Sequence, residues 1–431
     1  MFLSLPIVLG HLATMAMAVI DTAMVGRIGV LPVASASFAG CLLMFFYLFG
    51  VGLCVPIHIL VPKLLSANKN DEILAVLQHS LLILGIIGIG IGLLFQYGDS
   101  FLYMMNQPVP VVDESLAYAK VMAWSLLPVL LFQCLKNYYE ALNEPWVPIV
   151  ILFIASGLNI FLNWLLIYGN WGLPSYGLFG AGIATALSRL FVFVVLFFII
   201  TVKLPLLIRR LRLDISSIRS IFALGLPTSM QILFEVTLFS FTAIMMGWIG
   251  ETYLAAHQIA LNIAALAFMV PLGISHAVSI RISSAFGRGE VNEYRKIGYG
   301  GVFMSVIFMS LYGVLIVLNR SYLPGLFVDD VETCLIVENL LLIAAFFALF
   351  DGVQVTMMGA LRGLHDVVIP TGFVFFSFWI VGLFCAYYFG IVLDYKGQGV
   401  WSGLLASLVV ASILFGIRFH YYTKQLIKNN S

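Results

Sequence analysis

The sequence predicts an all-α integral membrane protein with twelve transmembrane helices in two pseudo-symmetric six-helix lobes around a central cavity. Hydrophobic residues make up 62% of the 431 positions and charged residues only 10%, against about 25% charged residues in soluble globular chains. The mean hydropathy of +1.08 excludes a soluble fold. A net charge of +1 provides no basic surface for nucleic acid, which we therefore do not expect as a partner.

Twelve apolar runs are each long enough to cross a lipid bilayer, which takes about 20 helical residues. Their ends are marked by Gly, Pro or charged residues. In chain order the predicted spans are 3–26, 33–62, 73–97, 115–139, 146–168, 177–202, 220–249, 253–283, 297–318, 333–360, 367–390 and 398–422. Several runs exceed the minimum length, as expected of tilted helices that project beyond the hydrocarbon.

Positive charge is divided unevenly between the two sides that these spans define. One side holds Lys63, Lys69, Lys136, Lys203, Arg209, Arg210, Arg212, Arg219, Arg281, Arg288, Arg295, Lys296, Arg362, Arg418, Lys424 and Lys428. Loops rich in Lys and Arg stay in the cytoplasm. We therefore predict that both termini are cytoplasmic.

The two halves of the chain repeat one another at a constant shift. Pro6, Gly26 and Gly29 match Pro227, Gly247 and Gly250, a shift of 227 − 6 = 221. Six spans fall in each half and both halves start on the same side, which is typical of the parallel repeats of transporters. The predicted lobes are residues 1–207, with helices one to six, and residues 208–431, with helices seven to twelve.

Four carboxylates lie inside predicted spans, where an ionised group costs about 3 kcal/mol or more unless it faces a cavity or a partner. One of them, Glu338, is only a turn or two from the outer end of the tenth span, where it can reach water, so three candidates are left. Asp21 lies late in the first span, Glu235 midway along the seventh and Asp351 in the tenth. At the shift of the repeat, Asp21 corresponds to Thr242 and Glu235 to Thr14. A desolvated carboxyl group can carry a proton, and a carboxylate among neutral oxygens can hold a hard cation. Both H+ and Na+ therefore stay open as coupling ions.

Neutral polar residues accompany these acids at helical spacing. Asn159 and Asn163 lie one turn apart in the fifth span, and Gln354 lies one turn after Asp351. For the asparagine pair, hydrogen bonding between helices is the alternative role.

The seventh and eighth spans add candidates for the wall of a cavity. Gln231 shares a stripe of the seventh helix with Glu235, and His257, Gln258 and Asn262 follow in the eighth span. A hydrogen bond between helices is the alternative role for His257. The 14% aromatic residues and 16 methionines suit a cavity for flat, greasy cations.

Four segments carry a resemblance to a known family. They are LPIVLGHLATMAMAVIDTAMVGRIG in the first span, LNIFLNWLLIYGNWGLPSYGLFGAGIATAL in the fifth and sixth, FEVTLFSFTAIMMGWIG in the seventh, and FDGVQVTMMGALRGLHD in the tenth. The chain resembles the multidrug and toxic compound extrusion (MATE) transporters over essentially its whole length. The Glu of FEVTLF together with the Asp of FDGVQV resembles the NorM-type branch.

The resemblance implies a secondary active antiporter that exports organic cations and drugs in exchange for H+ or Na+, without a cofactor. It implies an N-lobe proton or cation site, with Na+ as one candidate ion, made of Asp21, Asn159, Asn163, Thr185 and the backbone carbonyl of Ala181. It also implies an acidic C-lobe site at Glu235 and Asp351, to which the neighbouring Gln354 is added. The expected partners are the lipid bilayer and cationic amphipathic small molecules. The expected state is a monomer, and the expected location is the plasma (inner) membrane.

Two positions depart from the pattern of the family. Asn163 stands where some members carry Asp, which removes one negative charge and weakens any case for tight Na+ binding. Phe347 stands where some relatives have Tyr, so that position offers no phenol oxygen. The chain also begins almost at the first helix, without the short leader common in relatives, and the sequence leaves open whether its N-terminus is trimmed.

Two other functions compete with antiport. A lipid-linked oligosaccharide flippase has a similar architecture but needs a strongly cationic cavity for pyrophosphate, and Arg189 is the only base that we expect in the membrane interior. An intramembrane transferase needs clustered Asp for Mg2+ or a catalytic His in a polar setting. No Asp-x-x-Asp pair occurs inside a span and the histidines are scattered, so we expect a protein that is not an enzyme.

Overall fold

The structure, a computed structural model, describes residues 4–105, 107–205, 207 and 214–430, and within these ranges all regular secondary structure is helical. Twelve of the described helices are long and apolar enough to cross a membrane. They are α1 (Ser4–Gly26), α2 (Val30–Ser66), α3 (Asn70–Tyr97), α4 (Val109–Ala141), α5 (Trp146–Tyr168), α6 (Gly177–Lys203), α7 (Ile215–Ile249), α8 (Glu251–Arg288), α9 (Val291–Asn319), α10 (Val331–Gly363), α11 (Val368–Val392) and α12 (Lys396–Asn430). The predicted all-α class and the twelve spans are confirmed.

Most helices extend beyond the apolar runs that predicted them. α2 has 37 residues and α8 has 38, well above the roughly 20 that cross the hydrocarbon. α10 begins two residues before the predicted span, where the Asp330 side chain accepts a hydrogen bond from the backbone N–H of Thr333. Three arginines counted on the cytoplasmic side lie outside the described residues: Arg209, Arg210 and Arg212.

The repeat read from the sequence recurs in the packing of the helices. α3 packs on α4, α4 on α6 and α5 on α6, and the same set recurs as α9 on α10, α10 on α12 and α11 on α12. The turn between α1 and α2 uses Gly29 with φ +145°, and the turn between α7 and α8 uses Gly250 with φ +159°. These glycines are 250 − 29 = 221 residues apart, so corresponding turns need a residue without a Cβ.

The chain divides into two compact units. One comprises Leu9–Val61 and Lys69–Ser229, and the other comprises Met1–Val8, Pro62–Asn68 and Met230–Ser431. We call them the N-unit and the C-unit. The lobe boundary between residues 207 and 208 remains a prediction.

Helix α11 departs from regular α-helical geometry where it meets α12. Residues Phe376–Gly382 and Tyr388–Val392 form wider, π-helical turns. On the facing side of α12, a Cβ at Gly403 would overlap the backbone of Ala386. The backbones of the two helices are therefore in direct contact, which is possible because Gly403 has no side chain.

Replacing Gly403 with alanine should lower the thermal stability of the protein, because overpacking of a close contact costs about 1–3 kcal/mol. The measurement is the temperature at which half of the detergent-solubilised protein leaves the monodisperse peak in size-exclusion chromatography. Gly416→Ala is the matched control, since Gly416 lies on the same helix and a Cβ there meets nothing within 4 Å. Equal melting temperatures of the two variants would contradict the close contact.

Candidate functional site

The predicted N-lobe residues meet around the carboxylate of Asp21 in the N-unit. Asn163 donates from Nδ2 to Asp21 Oδ1 at 2.6 Å and to Asn159 Oδ1 at 3.1 Å. Thr185 donates from Oγ1 to Asp21 Oδ2 at 3.4 Å. Helices α1, α5 and α6 thus converge on one acid. Ala181 lies one turn before Thr185 on α6 and packs in an apolar cluster with Val25, and no described hydrogen bond joins its carbonyl to Asp21.

This cluster still has capacity for a ligand. Asn159 and Asn163 are both 0% exposed, yet Asn159 Nδ2 and Asn163 Oδ1 have no hydrogen-bond partner among the described residues. Leaving buried amide atoms unpaired is unfavourable. The oxygens of Asp21, Asn163 and Thr185 are of the kind that hold a proton or a hard cation.

Asp21 and Thr185 also line a cavity of about 270 Å³ in the N-unit. Its apolar wall includes Met17, Val129, Phe132, Leu152 and Val192, and its polar wall includes Thr14, Tyr47, Gln133, Ser188 and Arg189. The volume is close to the lower end of small-molecule sites, about 300–1,000 Å³.

Arg189 places a positive charge in the same cavity as Asp21. Its Nη1 donates to Ser125 Oγ at 2.7 Å. No carboxylate oxygen of the described residues lies within 4.0 Å of its guanidinium. The cavity therefore contains opposite charges that are not joined in an ion pair. The two charges share one cavity because α1, which carries Asp21, packs beside α6, which carries Arg189.

Glu235 and Asp351 line a second cavity, of about 310 Å³, in the C-unit. The predicted Gln258 and Asn262 line it too. Its remaining walls are apolar and largely aromatic, with Phe239, Leu261, Ala264, Ala265, Phe268 and Phe347. Two acids among aromatic faces form a site that can hold an organic cation.

Three further predicted residues are not among those that line this cavity. Gln231 donates from Nε2 to the backbone oxygen of Val367 at 3.1 Å. His257 accepts at Nδ1 from Trp401 Nε1 at 3.0 Å, the hydrogen bond between helices that was its alternative role. Gln354 is 0% exposed, and its amide atoms have no hydrogen-bond partner among the described residues.

Sequence reasoning missed a buried base near the C-lobe acids. Arg362 is 4% exposed and donates to Gln231 Oε1 from Nη2 at 2.7 Å and from Nε at 3.2 Å. It interacts electrostatically with Glu235, one turn after Gln231 on α7. The described helices therefore carry Arg362 as a base in addition to Arg189. Arg362 follows the last apolar residues, so hydropathy assigned it to a loop, whereas α10 continues to Gly363.

Another buried carboxylate was also missed, because Glu140 lies just beyond the predicted fourth span. Glu140 is 0% exposed, with Oε1 at 3.2 Å from Lys136 Nζ and Oε2 at 2.9 Å from His58 Nε2. Lys136, counted on the cytoplasmic side from the sequence, is 4% exposed on α4. The i, i+4 spacing of Lys136 and Glu140 was the signal available in the sequence.

These features define a class of protein: an α-helical membrane protein with two repeats of six membrane-length helices and with carboxylates on the walls of apolar cavities. The chain belongs to the MatE family, whose sequence profile matches residues 6–165 and 227–388. The matched segments begin 227 − 6 = 221 residues apart, the shift of the predicted repeat. The predicted family and the predicted repeat are confirmed.

Relatives of this chain match nearly its full length. A probable multidrug resistance protein NorM of Bradyrhizobium diazoefficiens is 34% identical, over 99% of this chain and 93% of the relative. A multidrug resistance protein NorM of Vibrio vulnificus is 30% identical, over 98% of this chain and 95% of the relative. The resemblance to the NorM-type branch is thereby confirmed.

Solved structures share the fold at low sequence identity. A crystal structure of MATE in the bent conformation gives a TM-score of 0.92 at 19% identity, covering 99% of this chain and 95% of that one. An outward-facing multidrug resistance MATE family transporter of the MOP superfamily gives 0.91 at 20% identity, covering 99% and 96%. These similarities concern the fold alone.

Removing Lys136 should destabilise the protein, because breaking a buried ion pair from one side costs about 3–5 kcal/mol. We expect Lys136→Met to lower the melting temperature in detergent and Lys136→Met/Glu140→Gln to recover part of the loss. Lys69→Met is the matched control, because it breaks an exposed pair with Glu72 at 2.8 Å, which contributes little. A loss no larger for Lys136→Met than for Lys69→Met would contradict the buried pair.

Proposed function

We propose that this chain is a secondary active antiporter that exports organic cations and drugs in exchange for H+ or Na+. The observation that carries the proposal is the position of Asp21, Glu235 and Asp351 on the walls of apolar cavities within membrane-length helices. Membership of the MatE family and the names of the NorM relatives support it.

Asp21 is the proposed coupling residue. Its two oxygens accept hydrogen bonds from Asn163 on α5 and Thr185 on α6, so neutralising the carboxylate changes how α1 is held. A proton on Oδ2 fits with a small adjustment, since the Thr185 hydroxyl can turn from donor to acceptor. Coupling follows if the neutralised site favours a helix packing with a different affinity for substrate.

Binding of Na+ requires a different orientation of the same side chains. Asn163 presents its NH2 group to Asp21, whereas a cation needs the amide oxygen to face it. Turning the amide would also exchange the donor for an acceptor in the bond to Asn159. The contacts around Asp21 therefore favour H+ over Na+ as the coupling ion.

The C-unit cavity is the proposed substrate site. Glu235 and Asp351 supply negative charge, and Phe239, Phe268 and Phe347 supply aromatic faces. Cationic amphipathic small molecules match both features, because the charge pairs with the acids and flat rings pack on the aromatic walls.

The competing functions fit these cavities less well. A flippase for pyrophosphate-linked lipids needs converging cations, whereas the C-unit cavity has two acids and the N-unit cavity contains one Arg and one Asp. No observation favours an intramembrane transferase.

The setting in the cell is part of the same proposal. The protein acts as a monomer in the plasma (inner) membrane with both termini cytoplasmic, and its lobes are residues 1–207 and 208–431. The uneven division of Lys and Arg supports this orientation.

Charge-neutralising variants test the proposal directly. Asp21→Asn, Glu235→Gln and Asp351→Asn should each reduce ethidium efflux from cells or everted vesicles, with Asp21→Asn near background because it cannot titrate. Efflux is measured with a proton gradient alone and with a sodium gradient alone. Glu114→Gln changes an exposed acid and serves as the control, with efflux near wild type. Full gradient-driven efflux in Asp21→Asn would remove the coupling role.

Introducing an acid at position 163 should create Na+ dependence. In Asn163→Asp two carboxylates share the site, so a bound cation relieves their repulsion. We expect exchange of 100 mM KCl for NaCl to raise the melting temperature of this variant by ~2 °C or more, and that of wild type by less. Equal responses of the two proteins would refute this account of ion choice.

A further inference from the structure

A groove of about 280 Å³ lies in the C-unit, between α8, α9 and the start of α1, and is separate from both cavities described above. Two basic residues and several apolar or small residues line it, among them Arg281, Lys296, Ile274, Ala277, Gly300 and Met304. None of these residues takes part in the proposed antiport.

The two basic residues of the groove are available for an anion. Arg281 is exposed and makes no hydrogen bond or ion pair with the described residues. Lys296 has a side chain that is 72% exposed and pairs with Glu293 at 2.8 Å. An exposed pair of this kind is weak, so Lys296 can contact a second anion.

These basic residues lie near the depth at which lipid headgroups meet hydrocarbon. Arg281 precedes the last residue of α8 by 288 − 281 = 7 positions, and Lys296 follows the first residue of α9 by 296 − 291 = 5 positions. At about 1.5 Å per residue, they lie about 10 Å and 8 Å from the helix ends. Both helices exceed the roughly 20 residues needed for the hydrocarbon, so their ends project into the headgroup region.

The rest of the groove continues from the basic residues toward the bilayer interior. Ile274 and Ala277 lie before Arg281 on α8, while Gly300 and Met304 lie after Lys296 on α9, so this part spans about 10–12 Å along the helices. A Cβ at Gly300 would meet nothing within 4 Å, which leaves this part open. The dimensions and apolar walls match the upper part of an acyl chain.

The exposed surface of α9 beyond the groove is also apolar. Phe303, Leu311 and Leu318 are 66%, 61% and 75% exposed. A continuous exposed apolar surface on a membrane helix is the kind that contacts lipid. The groove therefore opens beside a surface suited to lipid chains.

We propose that this groove binds an anionic phospholipid, with its phosphate on Arg281 and Lys296 and one acyl chain along Ala277, Gly300 and Met304. Arginine suits this role because its guanidinium donates two parallel hydrogen bonds to a phosphate. Basic pockets between membrane helices recognise anionic headgroups in the same way. A zwitterionic lipid with the same chains adds an ammonium group, which the two cations repel.

The test is native mass spectrometry of the full chain, released from detergent with equal amounts of dioleoyl phosphatidylglycerol and dioleoyl phosphatidylethanolamine. We expect wild type to retain phosphatidylglycerol preferentially. Arg281→Gln should weaken that binding about fivefold and leave phosphatidylethanolamine binding unchanged. Lys424→Gln removes an exposed lysine that does not line the groove and should leave both lipids unaffected.

A second variant tests the apolar part of the groove. Gly300→Leu should fill the acyl-chain position and weaken phosphatidylglycerol binding several-fold without lowering the melting temperature. Gly416→Leu is its control, because Gly416 is equally open but lies on α12. Loss of binding in Arg281→Gln but not in Gly300→Leu would overturn the proposed lipid site, because attraction to surface charge alone would then explain the binding. Equal loss of both lipids, or equal loss in the controls, would overturn it as well.

Discussion

The free-energy cost of a carboxylate among apolar helices is the constraint on which the rest of this structure depends. For Glu140, contacts with Lys136 and His58 offset this cost while the side chain is completely buried. For Asp21, hydrogen bonds from neighbouring helices and access to a cavity offset it. Glu235 also lies on a cavity wall. The acids on cavities can exchange a proton or a ligand, whereas Glu140 is committed to fixed partners and ties α2 to α4.

The two repeats share their packing but not their chemistry. Thr14 lines the N-unit cavity, and Glu235, which follows it by 235 − 14 = 221 positions, lines the C-unit cavity. Conversely, Asp21 lines the N-unit cavity, while its counterpart Thr242 is buried and donates to the backbone oxygen of Phe239. Equivalent scaffold positions thus hold acids at different depths. This asymmetry supports different roles for the two cavities, one for the coupling ion and one for the organic cation.

Much of this arrangement could be predicted from residue order. A backbone in lipid must satisfy its own hydrogen bonds, so each long apolar run has to be a helix, and the spans followed directly. The family motifs implied the cluster of Asp21 with Asn163 and Thr185. The sequence did not reveal that Gln231 contacts Arg362 rather than lining a cavity, because that contact joins α7 to the far end of α10.

The sequence by itself determined the all-α class, the number of spans, the repeat and the presence of three candidate carboxylates within the spans, because hydropathy and periodicity are local properties. Only the tertiary structure decided which polar groups meet. The hydrogen bond from Asn163 to Asp21 joins residues 142 positions apart, and the burial of Glu140 and Arg362 depends on neighbouring helices that cover them. Local hydropathy assigns such residues to helix ends, whereas packing between distant segments determines whether water reaches them.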